Sequence, residues 1–344
     1  MNEPLSLPSI LFVISMQFAF FLMIKKFNFQ RFFSYYESIQ KIHSGQILRV
    51  GGLLYFIGLL ITYIFFVEKG VAYLNSVILC SSILFLLTFT EDVKYILSAK
   101  IRLLILLSVS LIFITTNDLP EIRIFNIKIN SSNIILYQGL FVLALLTLMN
   151  GFNFIDGLNG LSSFNFVVTL LSIYLVAYWN ADKEIVNLTL TLILLSIVFA
   201  VINFPFGLIF LGDSGSYLYA FLSGAFTIIL FEKNPELPST LAILILAYPA
   251  TEVIFSFFRK ILNKKSPLKP DVNHFHHLVL KKLGNKNLKN NNLASILMFP
   301  IWLSPLFLVI FSYHYKLSNL TLYLGYFIFY SSSYYILKKS VMKV

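Results

Sequence analysis

The sequence predicts an all-α polytopic membrane protein, a single integral domain over residues 1–344 that crosses the bilayer about eleven times. Three observations predict it. Of the 344 residues, 58% are hydrophobic and only 12% charged, with a mean hydropathy of +0.82; a water-soluble domain of this size does not show that balance. Eleven apolar runs approach the ~20 residues a spanning helix needs. They lie near 8–24, 51–67, 71–90, 103–116, 134–150, 162–178, 186–203, 215–231, 239–257, 293–313 and 320–337. Finally, if the N-terminus is outside and the C-terminus cytoplasmic, the cytoplasmic loops hold 20 of the 26 Lys and Arg residues, as the positive-inside rule requires.

Lys25 and Lys26 follow the first run and Asn2-Glu3 precede it, so it reads as a retained helix and not a cleaved signal peptide. Residues 25–50 form a basic, aromatic loop that ends on Lys41, His43, Arg49 and Gly51-Gly52. It serves as a positive-inside anchor, and Lys41 and Arg49 are also candidate point charges for a phosphate. The third run ends on Glu91-Asp92, with Lys100 and Arg102 just beyond. Adjacent carboxylates repel and are tolerable with a cation between them, although a solvated helix end would also carry such a pair. Residues 117–133 are expected outside. There, Ile122 to Ile129 alternates apolar and polar about Phe125-Asn126, the pattern of a small β-hairpin. The single Cys80 sits in an apolar run and implies no disulfide.

The richest polar stretch is Asn150-Gly-Phe-Asn-Phe-Ile-Asp-Gly-Leu-Asn-Gly-Leu161, set between two apolar runs. A connecting turn needs two or three small residues; this one has far more hydrogen-bonding capacity. Were it helical throughout, Asn150, Asn153, Asp156 and Asn159 would form one ridge, because residues three apart share a face. A second motif, Asn203 to Ser216, sets Asp213 between Gly212 and Ser214-Gly215. A carboxylate in a tight turn suits a hard cation, and helix-start N–H groups suit phosphate. Glu252, after Pro249 in the ninth run, needs a partner or an escape toward Arg259 and Lys260. The loop beyond carries Asp271 and then His274, His276 and His277. Zinc would need a fourth ligand that is not evident, so an imidazole-rich loop facing phosphates is the favoured reading. Lys281, Lys282, Lys286 and Lys289 with Asn290 to Asn292 read as a solvated, lipid-facing patch.

In this order the motifs resemble those of the polyprenyl-phosphate N-acetylhexosamine-1-phosphate transferases, glycosyl transferase family 4, which include the phospho-MurNAc-pentapeptide translocase. The resemblance runs from residue 41 to 284 and is closer to the GlcNAc-1-phosphate branch. The chain departs from the usual pattern in having Glu91 before Asp92, Asn159 where Asp is usual, and Glu252 in a stretch that usually carries a nearby Asp. The resemblance implies a Mg²⁺-dependent enzyme, with Mn²⁺ as an acceptable substitute. It would move a sugar-1-phosphate from a UDP-N-acetylhexosamine to undecaprenyl phosphate, release UMP, and so begin a cell-wall or O-antigen type glycan. It places catalysis on Glu91, Asp92, Asp156 and Asp213, and the metal on Asp213 and Asp92. Substrate contacts would come from Asn153, Asn159, Lys100, Arg102, Arg49, Lys41, His274, His276 and His277. The expected setting is a bacterial inner membrane with the site on the cytoplasmic face. Membrane lipid is a partner, nucleic acid is not, and a homodimer is left open. A transporter is the rival class, but the motif acids lie in loops on one face and no internal repeat is visible. A catalytically altered relative is the third reading.

Overall fold

The computed structural model describes residues 7–26, 48–66, 72–94, 97–124, 127–129, 133–266, 273–284 and 287–342. Every predicted apolar run is helical. In order they are α1 (Leu7–Lys26), α2 (Gly51–Phe66), α3 (Ala72–Lys94), α4 (Ala99–Thr116), α5 (Ile134–Ile155), α6 (Leu161–Trp179), α7 (Lys183–Asn203) and α8 (Gly212–Lys233). The ninth run is broken into α9 (Leu241–Ile245) and α10 (Ala247–Leu262), and α11 (Phe275–Leu283) follows in the loop beyond. The tenth run is divided into α12 (Leu288–Leu297) and α13 (Phe299–Tyr315), and the chain closes with α14 (Asn319–Val341). Both breaks have a proline cause: Pro249 and Pro300 lack the N–H that would bond four residues back.

Eight helices among the described residues, with α12–α13 taken as one, are long and apolar enough to cross a membrane. The α2 stretch Gly51–Ile64 is apolar but shorter. The predicted hairpin is present: β1 (Ile122–Ile124) pairs antiparallel with β2 (Ile127–Ile129), Ile122 opposite Ile129. Ser239 pins it to the segment before α9, accepting from the Arg123 N–H and donating to the Glu121 carbonyl. The Phe125-Asn126 turn lies outside the described residues.

At the centre stands α8, buried along its whole spanning length and packed against α2, α3, α5 and α6. A helix apolar on every side belongs inside a bundle, and its Gly215, Ser216, Ser223 and Gly224 let neighbours approach closely. Two of its hydroxyls, those of Ser216 and Thr227, are satisfied locally by donating to the carbonyls four residues back. The periphery is the reverse, with Ile135, Ile336 and Leu86 exposed by 84%, 72% and 60%, which suits hydrocarbon and not water.

The helix directions gather the motifs at one end. α8 begins at Gly212 and ends at Lys233, where Lys233 pairs with Glu184 at the start of α7 and Tyr73 at the start of α3 bonds the same carboxylate. Hence α3 and α7 run antiparallel to α8, and their last residues meet its first. The starts of α2, α4 and α6 and the end of α5 lie at that same end, so Arg49, Asp92, Arg102, Asp156 and Asp213 converge.

Candidate active site

Asp213 stands in the first turn of α8. Its Oδ2 accepts from Arg102 Nη1 at 3.0 Å, and Arg49 Nη1 lies 3.7 Å from Oδ1. Arg102 also comes within 4.0 Å of Glu91 Oε1, while Glu91 Oε2 accepts the Leu97 N–H at 2.7 Å. Two guanidiniums therefore converge on one carboxylate that is still reached by solvent. A phosphate arriving there meets fixed positive charge.

Why Arg49 arrives there is written in Val50-Gly51-Gly52. Leu48 makes a parallel bridge with Ile209, and the N–H groups of Gly51 and Gly52 donate to the Phe210 and Leu211 carbonyls, each at 2.8 Å. A Cβ on Gly52 would lie 2.6 Å from the Gly215 Cα and N, so only glycine lets α2 start against the α8 backbone.

Asp92, expected as a metal ligand and a catalytic group, has both carboxylate oxygens bonded to the start of α8. Its Oδ1 accepts the Asp213 N–H at 2.8 Å; its Oδ2 accepts the Ser214 N–H at 2.9 Å and the Ser214 hydroxyl at 2.5 Å. Only 1% exposed, it caps the N-terminus of α8 from a neighbouring helix. Gly212 makes this possible, with φ +82° and a vacant Cβ position 2.7 Å from both Asp92 oxygens.

The Asn150–Leu161 ridge does not continue as one helix. α5 ends at Ile155 with Asp156 as its C-cap, and Gly160, at φ +78°, turns the chain into α6. Asn150 donates to its own helix at the Leu146 carbonyl, and Asn153 remains half-buried near the helix end. Asp156 lies close enough to Ser216, Asp213 and Arg49 to be influenced by all three. Burial pushes its carboxyl up to about 7; the Asp213 charge adds to this, and Ser216 and Arg49 oppose it. Asn159 is turned away toward α12: its Nδ2 donates to Asn292 Oδ1 at 3.0 Å, and its Oδ1 is buried with no partner among the described residues.

Beside α5 is the histidine cluster. Phe154 packs on the His274 ring with centroids 4.9 Å apart, and His274, His276 and His277 lie within 5.9 Å of one another. His274 Nδ1 is 2.9 Å from Glu252 Oε1, and the Tyr330 hydroxyl donates to Glu252 Oε2. Glu252 is thus engaged with His274 and Tyr330, a pairing the sequence reading did not find. His276 is fully buried, with neither ring nitrogen partnered among the described residues. Burial, then the neighbouring His277 and His274, holds it below the usual imidazole range, so it is neutral. Lys100 is exposed on the first turn of α4. Lys41 lies outside the described residues, as do His43 and Asp271.

Several anchoring residues have no signal in the sequence reading. Asn203 accepts the Gly160 N–H at 2.6 Å and donates to the Ile209 carbonyl at 2.7 Å. Asn290 to Asn292 are not a solvated patch: Asn290 donates to the Leu283 carbonyl at the end of α11, Asn291 is 1% exposed and Asn292 is half-buried, while the exposed Asn287 caps α12. Lys281, Lys282 and Lys289 are exposed as expected. Four asparagines in six residues were the available clue.

No group of three or more His, Cys, Asp or Glu side chains among the described residues is set to hold a metal ion by itself. Mg²⁺ commonly takes only one or two carboxylates, its remaining positions being filled by substrate phosphates and water, so the chemistry of Asp213 and Asp156 fits such an ion without a larger protein cage.

Fold and site together define a polytopic helical membrane protein with an acidic and basic site at one end of its bundle. The chain belongs to glycosyl transferase family 4, whose family model matches residues 74–231. It is 32% identical over 246 residues to the undecaprenyl-phosphate alpha-N-acetylglucosaminyl 1-phosphate transferase of Thermotoga maritima, covering 71% of this chain and 72% of that one. A probable undecaprenyl-phosphate N-acetylglucosaminyl 1-phosphate transferase of Bacillus subtilis is 29% identical over 247 residues, 71% and 68% of the two chains. The Escherichia coli K12 undecaprenyl-phosphate alpha-N-acetylglucosaminyl 1-phosphate transferase is 23% identical over 256 residues, again 71% and 68%.

Proposed function

We propose that this protein transfers N-acetylhexosamine 1-phosphate from a UDP-sugar to undecaprenyl phosphate and releases UMP. An oxygen of the lipid phosphate attacks the β-phosphorus, the bond from that phosphorus to the bridging oxygen breaks, and UMP leaves with the oxygen and its electrons. The observation that carries this reading is the pair of guanidiniums, Arg49 and Arg102, meeting at Asp213 where helix ends converge. Phosphoryl transfer needs positioning and charge neutralisation more than covalent chemistry. The names of the relatives supply the lipid acceptor and favour GlcNAc as the sugar.

Asp213, with Asp156 in reach, would hold Mg²⁺, which when bound neutralises charge on the donor diphosphate. Arg49 and Arg102 bind phosphate oxygens once the diphosphate draws them from Asp213. His274, oriented by Glu252 through its Nδ1, supports the substrate side of the histidine cluster, and His277 and Lys100 add polar and positive groups at the rim. Glu91 steers Arg102. Asn153 and the turn after α5 face the nucleotide. Asp92 holds α8 in place and touches no substrate. A lipid phosphate with its second ionisation near pH ~6 is already largely a dianion at neutral pH, so a strong base is not required. Every residue assigned comes from one chain, so the chemistry does not need a homodimer.

The membrane orientation belongs to the same proposal: eleven crossings in a bacterial inner membrane, with the site end cytoplasmic. The Lys- and Arg-rich loops 25–50, 91–102 and 258–292 adjoin that end. The product, a lipid-diphosphate-linked sugar, is the starting point of a surface glycan.

The test is a UDP-N-acetylglucosamine labelled in its β-phosphate, supplied with undecaprenyl phosphate and Mg²⁺ to the purified protein. The label should enter a lipid diphosphate with UMP as the nucleotide product, and added UMP should reverse the reaction. Release of labelled UDP, the product of cleavage at the sugar carbon, overturns the proposal. Passage of intact donor into sealed vesicles indicates the transporter reading instead.

A further inference from the structure

Three separate segments meet at Asn159, and all of its backbone polar groups are held by α12. The Asn159 N–H donates to Asn291 Oδ1 at 2.8 Å, and its carbonyl accepts from the Ser295 hydroxyl at 2.5 Å. Its side-chain amide donates to Asn292 Oδ1, while Asn292 Nδ2 donates to the Pro205 carbonyl at 2.6 Å. The Pro205 turn is tied back to the first by Asn203, which bonds both Gly160 and Ile209. Asn159 and Asn291 are each 1% exposed and Ser295 is fully buried, so these bonds are shielded from competing water.

The two turns so joined carry Asp156 and Asp213, the carboxylates proposed above to hold Mg²⁺. Asp156 is three residues before Asn159, and Asp213 is four residues after Ile209. We propose that α12 is a positioning element, and that Asn291, Asn292 and Ser295 fix the spacing of Asp156 and Asp213 by locking the α5–α6 and α7–α8 turns together. These residues lie beyond 74–231, the span matched by the family model, and touch no reacting group. Apolar packing holds α5, α6, α7 and α8 in the bundle whether or not the lock is closed, so its loss is felt in the turns and not in the helices. A displacement of ~1 Å in a catalytic array can cost roughly 10²-fold in rate. The longer ligand, a nucleotide diphosphate sugar, must contact both turns at once; a lipid phosphate monoester need not.

The consequence for turnover rests on the function proposed above, while the lock itself is read without turnover. Full-length Asn291→Leu and Ser295→Ala are compared with Asn291→Asp, which keeps the acceptor for the Asn159 N–H. Hydrogen exchange is followed across 156–161 and 205–213, and steady-state rates are taken with UDP-N-acetylglucosamine and undecaprenyl phosphate varied in turn. In Asn291→Leu and Ser295→Ala, exchange of both turns should accelerate about tenfold or more, and kcat/KM for the nucleotide sugar should fall by at least about tenfold. The KM for undecaprenyl phosphate and the melting temperature should stay near wild type, and Asn291→Asp should restore most of the loss. Unchanged exchange in the two turns overturns the lock. Faster exchange throughout the bundle, with both substrates affected alike, overturns the positioning role in favour of a purely structural one. The exchange pattern in the variants together with a wild-type protein that releases no UMP rejects the proposed function and leaves the lock standing.

Discussion

The carboxylate of Asp92 caps the helix that carries Asp213: it accepts the Asp213 N–H at 2.8 Å from a different helix, and bonds the Ser214 N–H and hydroxyl besides. An acid that the sequence offers as a metal ligand is bonded to the start of the helix that carries Asp213. Asp92→Asn replaces an acceptor oxygen with an amide facing N–H donors, and the expected cost is about 1–3 kcal/mol of stability. Melting in detergent should fall together with activity. Gly212→Ala should do the same, because a Cβ there meets both Asp92 oxygens. Full thermal stability in Asp92→Asn with activity lost would return Asp92 to the catalytic group.

Asp213→Asn is expected to behave in the opposite way. The residue is partly open to solvent and its neighbours are cations, so expression and melting should be near normal while transfer falls at least about 10³-fold, the scale of losing a principal electrostatic group. Comparing Mg²⁺ titrations of wild type and variant checks the assignment. Near-normal turnover would locate the metal elsewhere.

For Asp156 the pH dependence has a definite sign. Its carboxyl is pushed up to about 7 from an ordinary value of 3.8 by burial, so the folded protein holds a proton that the unfolded chain releases. The stability this contributes is complete below pH ~3.8 and is lost as pH rises through about 7. Between pH 5 and pH 8 the melting temperature of wild type should therefore drop further than that of Asp156→Asn. Parallel curves for the two proteins count against the buried, protonated state.

The Glu252–His274 pair predicts a split between conservative and drastic variants. Glu252→Gln keeps the shape but replaces the carboxylate that orients His274 with a neutral amide, and should lower kcat by roughly 10- to 100-fold with little change in melting. Glu252→Leu leaves the Tyr330 hydroxyl and His274 Nδ1 buried without their partner, costing about 1–3 kcal/mol for each. Equal activity in Glu252→Gln and wild type would reduce the pair to packing.

Orientation is checked by single cysteines in a Cys80→Ser background. Glu236 follows the end of α8 opposite the site, and Ser266 follows α10 on the side of the site; both are exposed. An impermeant thiol reagent added to intact cells should label Glu236→Cys and spare Ser266→Cys. The reverse pattern inverts the topology.

The sequence by itself determined the helices, the hairpin and the sidedness of charge. Each depends on local order: a run of apolar residues, an alternation such as Ile122 to Ile129, or a count of Lys and Arg in a loop. It also picked out Arg49, Arg102, Asp156 and Asp213, because ionised groups beside hydrocarbon need a reason to be there. Tertiary structure alone decided how those groups are used. Whether Asp92 faces a ligand or the start of α8 depends on the packing of α3 against α8, more than a hundred residues apart. Asn159 presents its polar groups to α12 because Gly160 turns the chain toward Asn291 and Ser295, and Glu252 is matched by Tyr330 from the last helix. A hydrogen bond between distant segments leaves no periodicity in either one, so residue type announces the need for a partner and only the fold supplies it.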